Sequence, residues 1–432
     1  MSINRDCETL QGIGPTRRDV LRGATYAAAG VAAGTAFVRN AVAQTANQGL
    51  DLISPTFETS PTYLAEYTAS DRAKEIMQKA TVIDMLFSAV YPLQWKNDDQ
   101  FHPVMDQCLA AGMNVLGYCT SADGADGDPA AVLNGLKFPL RKIAERPDKY
   151  MIVRSGNDIR EAKKQGKLGL YFVHQGTMPM GTDVHNVALM RQLGFGYCLL
   201  VYNVANAVGG GCAEDQDPGL TAFGHQLVKA YNRYGLVVDV THTGDRTARD
   251  ACNVSLKPVI ASHSCAKGIF PSFRNLSDEL IKDIAGTGGV CSVFTTGTYI
   301  DPTNPPVVGP EIIFRHIDYM CQLLGNTDHV GYGSDWIPDM TKTIQLIASK
   351  PGVYPDKGMA EGATKKGLSM WGPTPNPAKI LPAVVDQLLE HGYSQDDCAK
   401  ILGGNNLRVF DQVWSGTDVE IDDSQSFLHT WR

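Results

Sequence analysis

The 432-residue chain has no Cys-x-x-Cys pair, no internal repeat, no block of like charges and, outside its first residues, no low-complexity tract. The first absence excludes thioredoxin-type redox motifs and paired-thiolate zinc sites. The second excludes a solenoid or propeller. No charge block means no interaction tail, and a formal net charge of −8 lacks the basic face of a nucleic-acid binder. No segment reaches the ~18 unbroken apolar residues of a membrane span. Disulfides are not assignable either. Cys7 sits in the leader discussed next, which leaves nine cysteines, an odd number. At least one is then unpaired or bonded between chains. Cys119, Cys198 and Cys291 lie inside apolar runs and read as small core residues.

The N-terminus carries an export signal in three ordered parts. Thr16-Arg17-Arg18-Asp19-Val20-Leu21-Arg22 is a twin-arginine pattern, Ala24–Val38 is weakly apolar, and Ala41-Val42-Ala43 offers an A-x-A cleavage site. The expectation is a leader over residues 1–43, an irregular arm over 44–75, and one domain over 76–432. The export machinery that reads twin arginines is then a partner, and the mature protein is soluble and periplasmic.

Eight apolar, β-branched runs follow: Thr81–Leu86, Asn114–Cys119, Leu168–Val173, Tyr197–Val201, Leu236–Val240, Val259–Ala261, Gly289–Phe294 and Val330–Gly333. Helical patterns separate most of them, as in Val104–Ala111, Phe223–Tyr234 and Glu311–Leu324. Continuous apolar runs suit strands buried on both faces, and eight β/α alternations predict a closed (β/α)8 barrel. Met151–Val153 is a ninth short run, read as a side feature. Two long loops interrupt the pattern, Gly209–Pro218 and residues 337–377. Loops of that length over the C-terminal face of a barrel are lids or binding loops.

Three segments carry chemistry: Asp239-Val-Thr-His242, Ser262-His263-Ser264 and Gly333-Ser334-Asp335. Each closes a strand-like run, so two imidazoles and a carboxylate stand on the active-site face. Adjacent strands lie ~4.8 Å apart, which lets His242 and His263 reach one metal ion of the zinc type. Asp335 is placed to be a ligand or a proton acceptor. The plainer reading is a pair of hydrogen-bonded structural histidines and a capping aspartate.

These segments resemble the membrane (renal) dipeptidases, the M19 metallopeptidases, over residues 80–413. The likeness extends to Asn232-Arg233, Arg274-Asn275, Gly219-Leu-Thr-Ala-Phe-Gly224 and Leu402-Gly-Gly-Asn-Asn-Leu-Arg-Val-Phe410. The resemblance implies a metallo-dependent hydrolase barrel acting on a dipeptide-like substrate, and by analogy a homodimer. It implies His242 and His263 as ligands of one zinc, Arg274 as the holder of the substrate carboxylate, and Asp335 as ligand and proton carrier.

The departures are equally specific. The family's first strand ends in a His-x-Asp pair, and here those positions are Leu86 and Ser88. A glutamate that bridges two ions is replaced by Gln175, and a substrate-polarising histidine by Tyr202, just before Asn203-Val-Ala-Asn206. The expectation is one ion, zinc or another divalent transition metal, held by His242 and His263 and completed by Gln175, Asp335, His174 or water. Asp335 and Tyr202 would be catalytic, and Arg274 and Asn203 would bind substrate. Asp84 would be structural. A non-hydrolytic member of the fold, binding a ligand or serving a maturation pathway, is the other reading.

Overall fold

The computed structural model describes residues 66–88, 98–123, 130–303, 308–338, 352–353 and 375–421. The expected leader, most of the expected arm and most of the 337–377 loop lie outside the described residues, which all belong to one compact unit, Leu52–Arg432.

The strands are β1 (Ile83–Phe87), β2 (Val115–Ala122), β3 (Tyr150–Ile152), β4 (Leu168–Gln175), β5 (Phe195–Leu199), β6 (Val237–Asp239), β7 (Val259–Ala261), β8 (Val290–Val293) and β9 (Val330–Tyr332). All pair in parallel, in the order β1-β2-β4-β5-β6-β7-β8-β9, with β3 paired only to β4. β4 serves three neighbours because it divides its length. Leu168–Leu170 meet β3, whereas Phe172–His174 meet β5. The path is closed beyond the regular ladders. Phe87 bridges to Trp336, and the Asp335 amide donates to the Leu86 carbonyl at 2.9 Å. The molecule is a (β/α)8 barrel, with eight strands on the path and the ninth run beside it.

Every residue of β1, β4 and β5 is buried, as strands covered on both faces require. Inside, the Tyr171 and Tyr197 hydroxyls both donate to the Met85 carbonyl. Gly117 lets them in, since a Cβ there would stand 2.7 Å from the Tyr171 oxygen and 2.1 Å from the Met85 oxygen.

The surrounding helices follow the usual local rules. Phe101–Ala110 buries Phe101, Val104, Met105 and Cys108, the one-faced spacing of an amphipathic helix. Ser70, Ser155, Thr221, Ser277 and Ser394 each accept the amide three residues on and so start a helix. The nine cysteines among the described residues are free thiols, eight of them buried. No helix among the described residues is long and apolar enough to cross a membrane.

Candidate metal and substrate site

Asn203 follows β5, His242 follows β6, and Asp335 follows β9. These three are the non-glycine residues with positive φ among those described, at 59°, 63° and 52°. A left-handed backbone costs an L-residue roughly 1–2 kcal/mol. Strain gathered at strand ends on one face of a barrel points to a function rather than to folding. It turns each side chain off its strand and over the mouth.

His242 and His263 come together. Their Nε2 atoms are 3.2 Å apart. His242 Nδ1 lies 2.6 Å from Asn203 Oδ1, and Asn203 Nδ2 donates to the Val353 carbonyl at 3.1 Å. That second bond fixes which way the amide faces, so its oxygen must accept from Nδ1–H. His242 is then a neutral ring with a bare Nε2 lone pair aimed at His263. His263 Nδ1 sits 2.8 Å from Ser262 Oγ, whose hydroxyl serves either tautomer. Burial, with the Arg274 guanidinium nearby, holds both imidazoles well below the usual histidine range. Both are uncharged at neutral pH, the form that binds metals.

The spacing tests whether an ion fits. Two nitrogens each ~2.0–2.1 Å from a tetrahedral zinc would be separated by about 3.3 Å, close to what is found. Each ring also has a partner on its other nitrogen, as ligating histidines do. The pair therefore fits half of a coordination shell. Among the described residues no group of three or more His, Cys, Asp or Glu is gathered closely enough to hold an ion. Asp335 is thus not drawn into one group with the imidazoles. Its carboxylate meets the Thr296 hydroxyl at 3.5 Å and the Ser88 hydroxyl. Burial raises it to about 7, against the pull of Arg274, Thr296 and Ser88.

The other half of the mouth is neutral. Leu86 is fully buried, Ser88 faces Asp335, and the Gln175 amide donates to the Cys119 thiol at 3.4 Å. Burial pushes that thiol up to about 12, so it carries no charge. These groups form no second cation site. His174 is not part of the mouth at all, because successive strand residues face opposite ways. Its Nε2 lies 2.9 Å from Asp123, which also accepts the Thr177 and Met178 amides. It therefore clamps the loop after β4, and the expectation that it completes a metal shell is withdrawn.

Arg274 is buried against Phe294, with its guanidinium 5.2 Å from the ring centroid. It donates to Ser264 Oγ (2.8 Å) and to the His263 carbonyl (2.7 Å). No carboxylate among the described residues is in ion-pair distance of it. A cavity of about 200 Å3 runs from His242 past Arg274. The Tyr202 ring lies tilted against His242, 4.4 Å between centroids and 37° between planes. A second cavity of about 280 Å3 opens on the Tyr202 side, beside Met178, Val204, Ala205 and Val353.

Asp84 is structural, as the sequence implied. It accepts the Ser334 amide (2.8 Å) and hydroxyl (2.5 Å) and so locks β1 to the turn that carries Asp335. Asn203 does different work from that expected, since its amide orients His242. Sequence reasoning passed over Asp123 and Thr296 and read Cys119 only as a small core residue, and none of these has a spacing signal of its own.

A family model for membrane dipeptidases, peptidase family M19, matches residues 70–349, nearly two thirds of the chain. The chain belongs to the membrane dipeptidase family. Among curated relatives it is 26% identical over 295 residues to the dipeptidase ataJ of Aspergillus terreus, covering 63% of this chain and 64% of that one. To the dipeptidase aclJ of Aspergillus oryzae it is 29% identical over 248 residues, covering 57% and 51%. The match thus spans less than two thirds of either relative's length. Among solved structures, an amidohydrolase from Pseudomonas aeruginosa superposes with a TM-score of 0.66 at 27% identity, covering 79% of this chain and 99% of that one. The M19 membership accounts for the order of motifs around the barrel.

Proposed function

We propose that this chain is an exported, metal-dependent hydrolase that cleaves an amide or related bond in a small, dipeptide-like substrate bearing a carboxylate. The observation that carries the reading is the imidazole pair: two neutral rings, 3.2 Å apart at Nε2, with the lone pair of His242 already fixed by Asn203.

His242 and His263 would hold one ion, zinc or another divalent transition metal. Bound there, such an ion supplies Lewis acidity toward a carbonyl and an activated water. The chain's own groups do the rest. Arg274, a buried cation with no carboxylate in ion-pair distance among the described residues, receives the substrate carboxylate with its free donors. Asp335, held near neutrality, takes a proton from the attacking water and returns it to the departing amine. Tyr202, packed against His242, would offer its phenol to the oxyanion charge that develops. The apolar cavity beside Tyr202 gives room to the residue on the other side of the scissile bond.

Zinc-reconstituted protein is expected to hydrolyse simple dipeptides. Asp335→Asn should lower kcat by about 100-fold or more with little change in KM. Equal turnover in the two proteins would remove Asp335 from the chemistry, and none in either at full metal occupancy would favour the non-hydrolytic reading. Export is part of the same proposal and rests on Arg17-Arg18 and the leader that follows. A homodimer is proposed by family likeness alone.

A further inference from the structure

The two imidazoles are tethered unequally. The Asn203 amide oxygen can only accept, so it fixes the His242 proton on Nδ1 and leaves Nε2 bare. The two Nε2 atoms face each other at 3.2 Å. That separation suits an N–H···N hydrogen bond as well as two ligands of one ion. Two bare lone pairs at that distance repel each other. With no ion between the rings, His263 must therefore offer Nε2–H to His242, and its Nδ1 must accept. With an ion, its Nε2 must be bare and its Nδ1 must carry the proton.

Ser262 is the partner at Nδ1, with its Oγ 2.8 Å away. A carbonyl or a carboxylate in that place would accept only and hold a single tautomer. A hydroxyl donates and accepts, so it satisfies Nδ1 in either state. The Ser262 Oγ also lies 3.3 Å from the Thr241 Oγ1, and either oxygen can be the donor. Both residues are set by Asp239 at the end of β6, whose Oδ1 accepts the Thr241 amide (2.9 Å) and the Ser262 amide (3.2 Å). The Asp239 Oδ2 is buried and has no hydrogen-bond partner among the described residues. Burial raises this carboxyl, and the Ser262 and Thr241 hydroxyls pull against the rise. The hydroxyl of Ser262 thus has two directions open to it, forward to His263 or back toward Thr241 and the Asp239 carboxyl.

We propose that Ser262 is a positioning residue whose hydroxyl reverses its hydrogen bond with His263 when an ion enters, so that His263 exchanges one neutral tautomer for the other. This rests on the one-ion reading of the His242–His263 pair. In the ion-free protein the donors run one way, from Thr241 through Ser262, His263 and His242 to Asn203. On metal binding the part beyond His263 turns round. Its Nδ1–H donates to Ser262, and Ser262 donates back to Thr241. One proton leaves Nε2 for solvent and one reaches Nδ1 from solvent, so the ring stays neutral. His242 keeps its tautomer throughout. Ion entry then breaks the single bond between the rings, and every other bond of the chain is kept, with its direction unchanged or reversed.

Nitrogen NMR tests it without turnover. Long-range proton–nitrogen spectra of histidine-labelled protein report which ring nitrogen bears the proton, with the two rings assigned from His242→Gln and His263→Gln. The unaltered protein should show His263 as Nε2–H after chelation and as Nδ1–H once zinc is bound, with His242 as Nδ1–H in both. Ser262→Ala should lower zinc affinity about 10- to 100-fold, because the bound ring then has a buried Nδ1–H without an acceptor. One and the same His263 tautomer with and without zinc overturns the proposal while leaving the one-ion site standing. So does a folded Ser262→Ala protein that binds zinc as tightly as the original. A folded, unaltered protein that takes up no zinc overturns the one-ion reading, and the proposal with it.

Discussion

Asn203 is the residue on which the metal reading turns. One amide oxygen at 2.6 Å decides which nitrogen of His242 carries the proton. Asn203→Ala should lower metal affinity about 10- to 100-fold while His242 stays in place, as measured by competition with a chromogenic chelator. Asn203→Asp offers a different outcome. A carboxylate still accepts from Nδ1–H, so affinity should stay within a few-fold of the original or rise. Asp84 makes a prediction in pH. Burial raises its carboxyl from 3.8 to about 7. The folded state then holds a proton that the unfolded chain has released, so between those values its contribution to stability falls as pH rises. Asp84→Asn loses the clamp on Ser334 but not to charge. The deficit of the variant should therefore shrink with rising pH, by on the order of 1 kcal/mol per pH unit across that window, as read from denaturant midpoints. A deficit constant with pH would mean the carboxyl is not buried as described.

At the scale of elements, the ends of the strands matter more than the strands. The apolar runs of β1, β2 and β6–β9 were legible because parallel strands buried on both faces leave an unbroken hydrophobic signal. β5 starts two residues earlier than its run, at Phe195, because pairing with Phe172 on β4 recruits it. What the sequence could not show is the turn each chain makes on leaving the sheet. The positive φ of Asn203, His242 and Asp335 has no composition signal, since none is a glycine. Nor could it show that adjacent His174 and Gln175 part company, one to Asp123 outside and one to Cys119 within. The Gly-rich loop after β5 is part of the same device. A Cβ on Gly211 would stand 2.1 Å from the Asn203 carbonyl. Gly211→Ala should therefore displace Asn203, destabilising the fold by about 1–3 kcal/mol. Its metal affinity should fall in parallel with that of Asn203→Ala. Normal affinity in a destabilised Gly211→Ala protein would separate the loop from the site.

For the whole molecule, the two sides of the barrel mouth differ. The half served by β6 and β7 carries the His242–His263 imidazole pair, and the half served by β1 and β4 presents the uncharged Leu86, Ser88, Cys119 and Gln175. A barrel accommodates such differences at its mouth because its stability lies in the packed strands and helices, not at the rim. The export proposed from Arg17 and Arg18 belongs to this scale too. Substituting both by lysine should leave the protein in the cytoplasm, as cell fractionation would show. The most direct measurement of the central claim is the metal content of the mature protein, purified without a metal-binding tag. The account predicts about one equivalent of a divalent transition metal, lost in His263→Ala. Two equivalents, or none in a folded protein that also refuses added zinc, would contradict it.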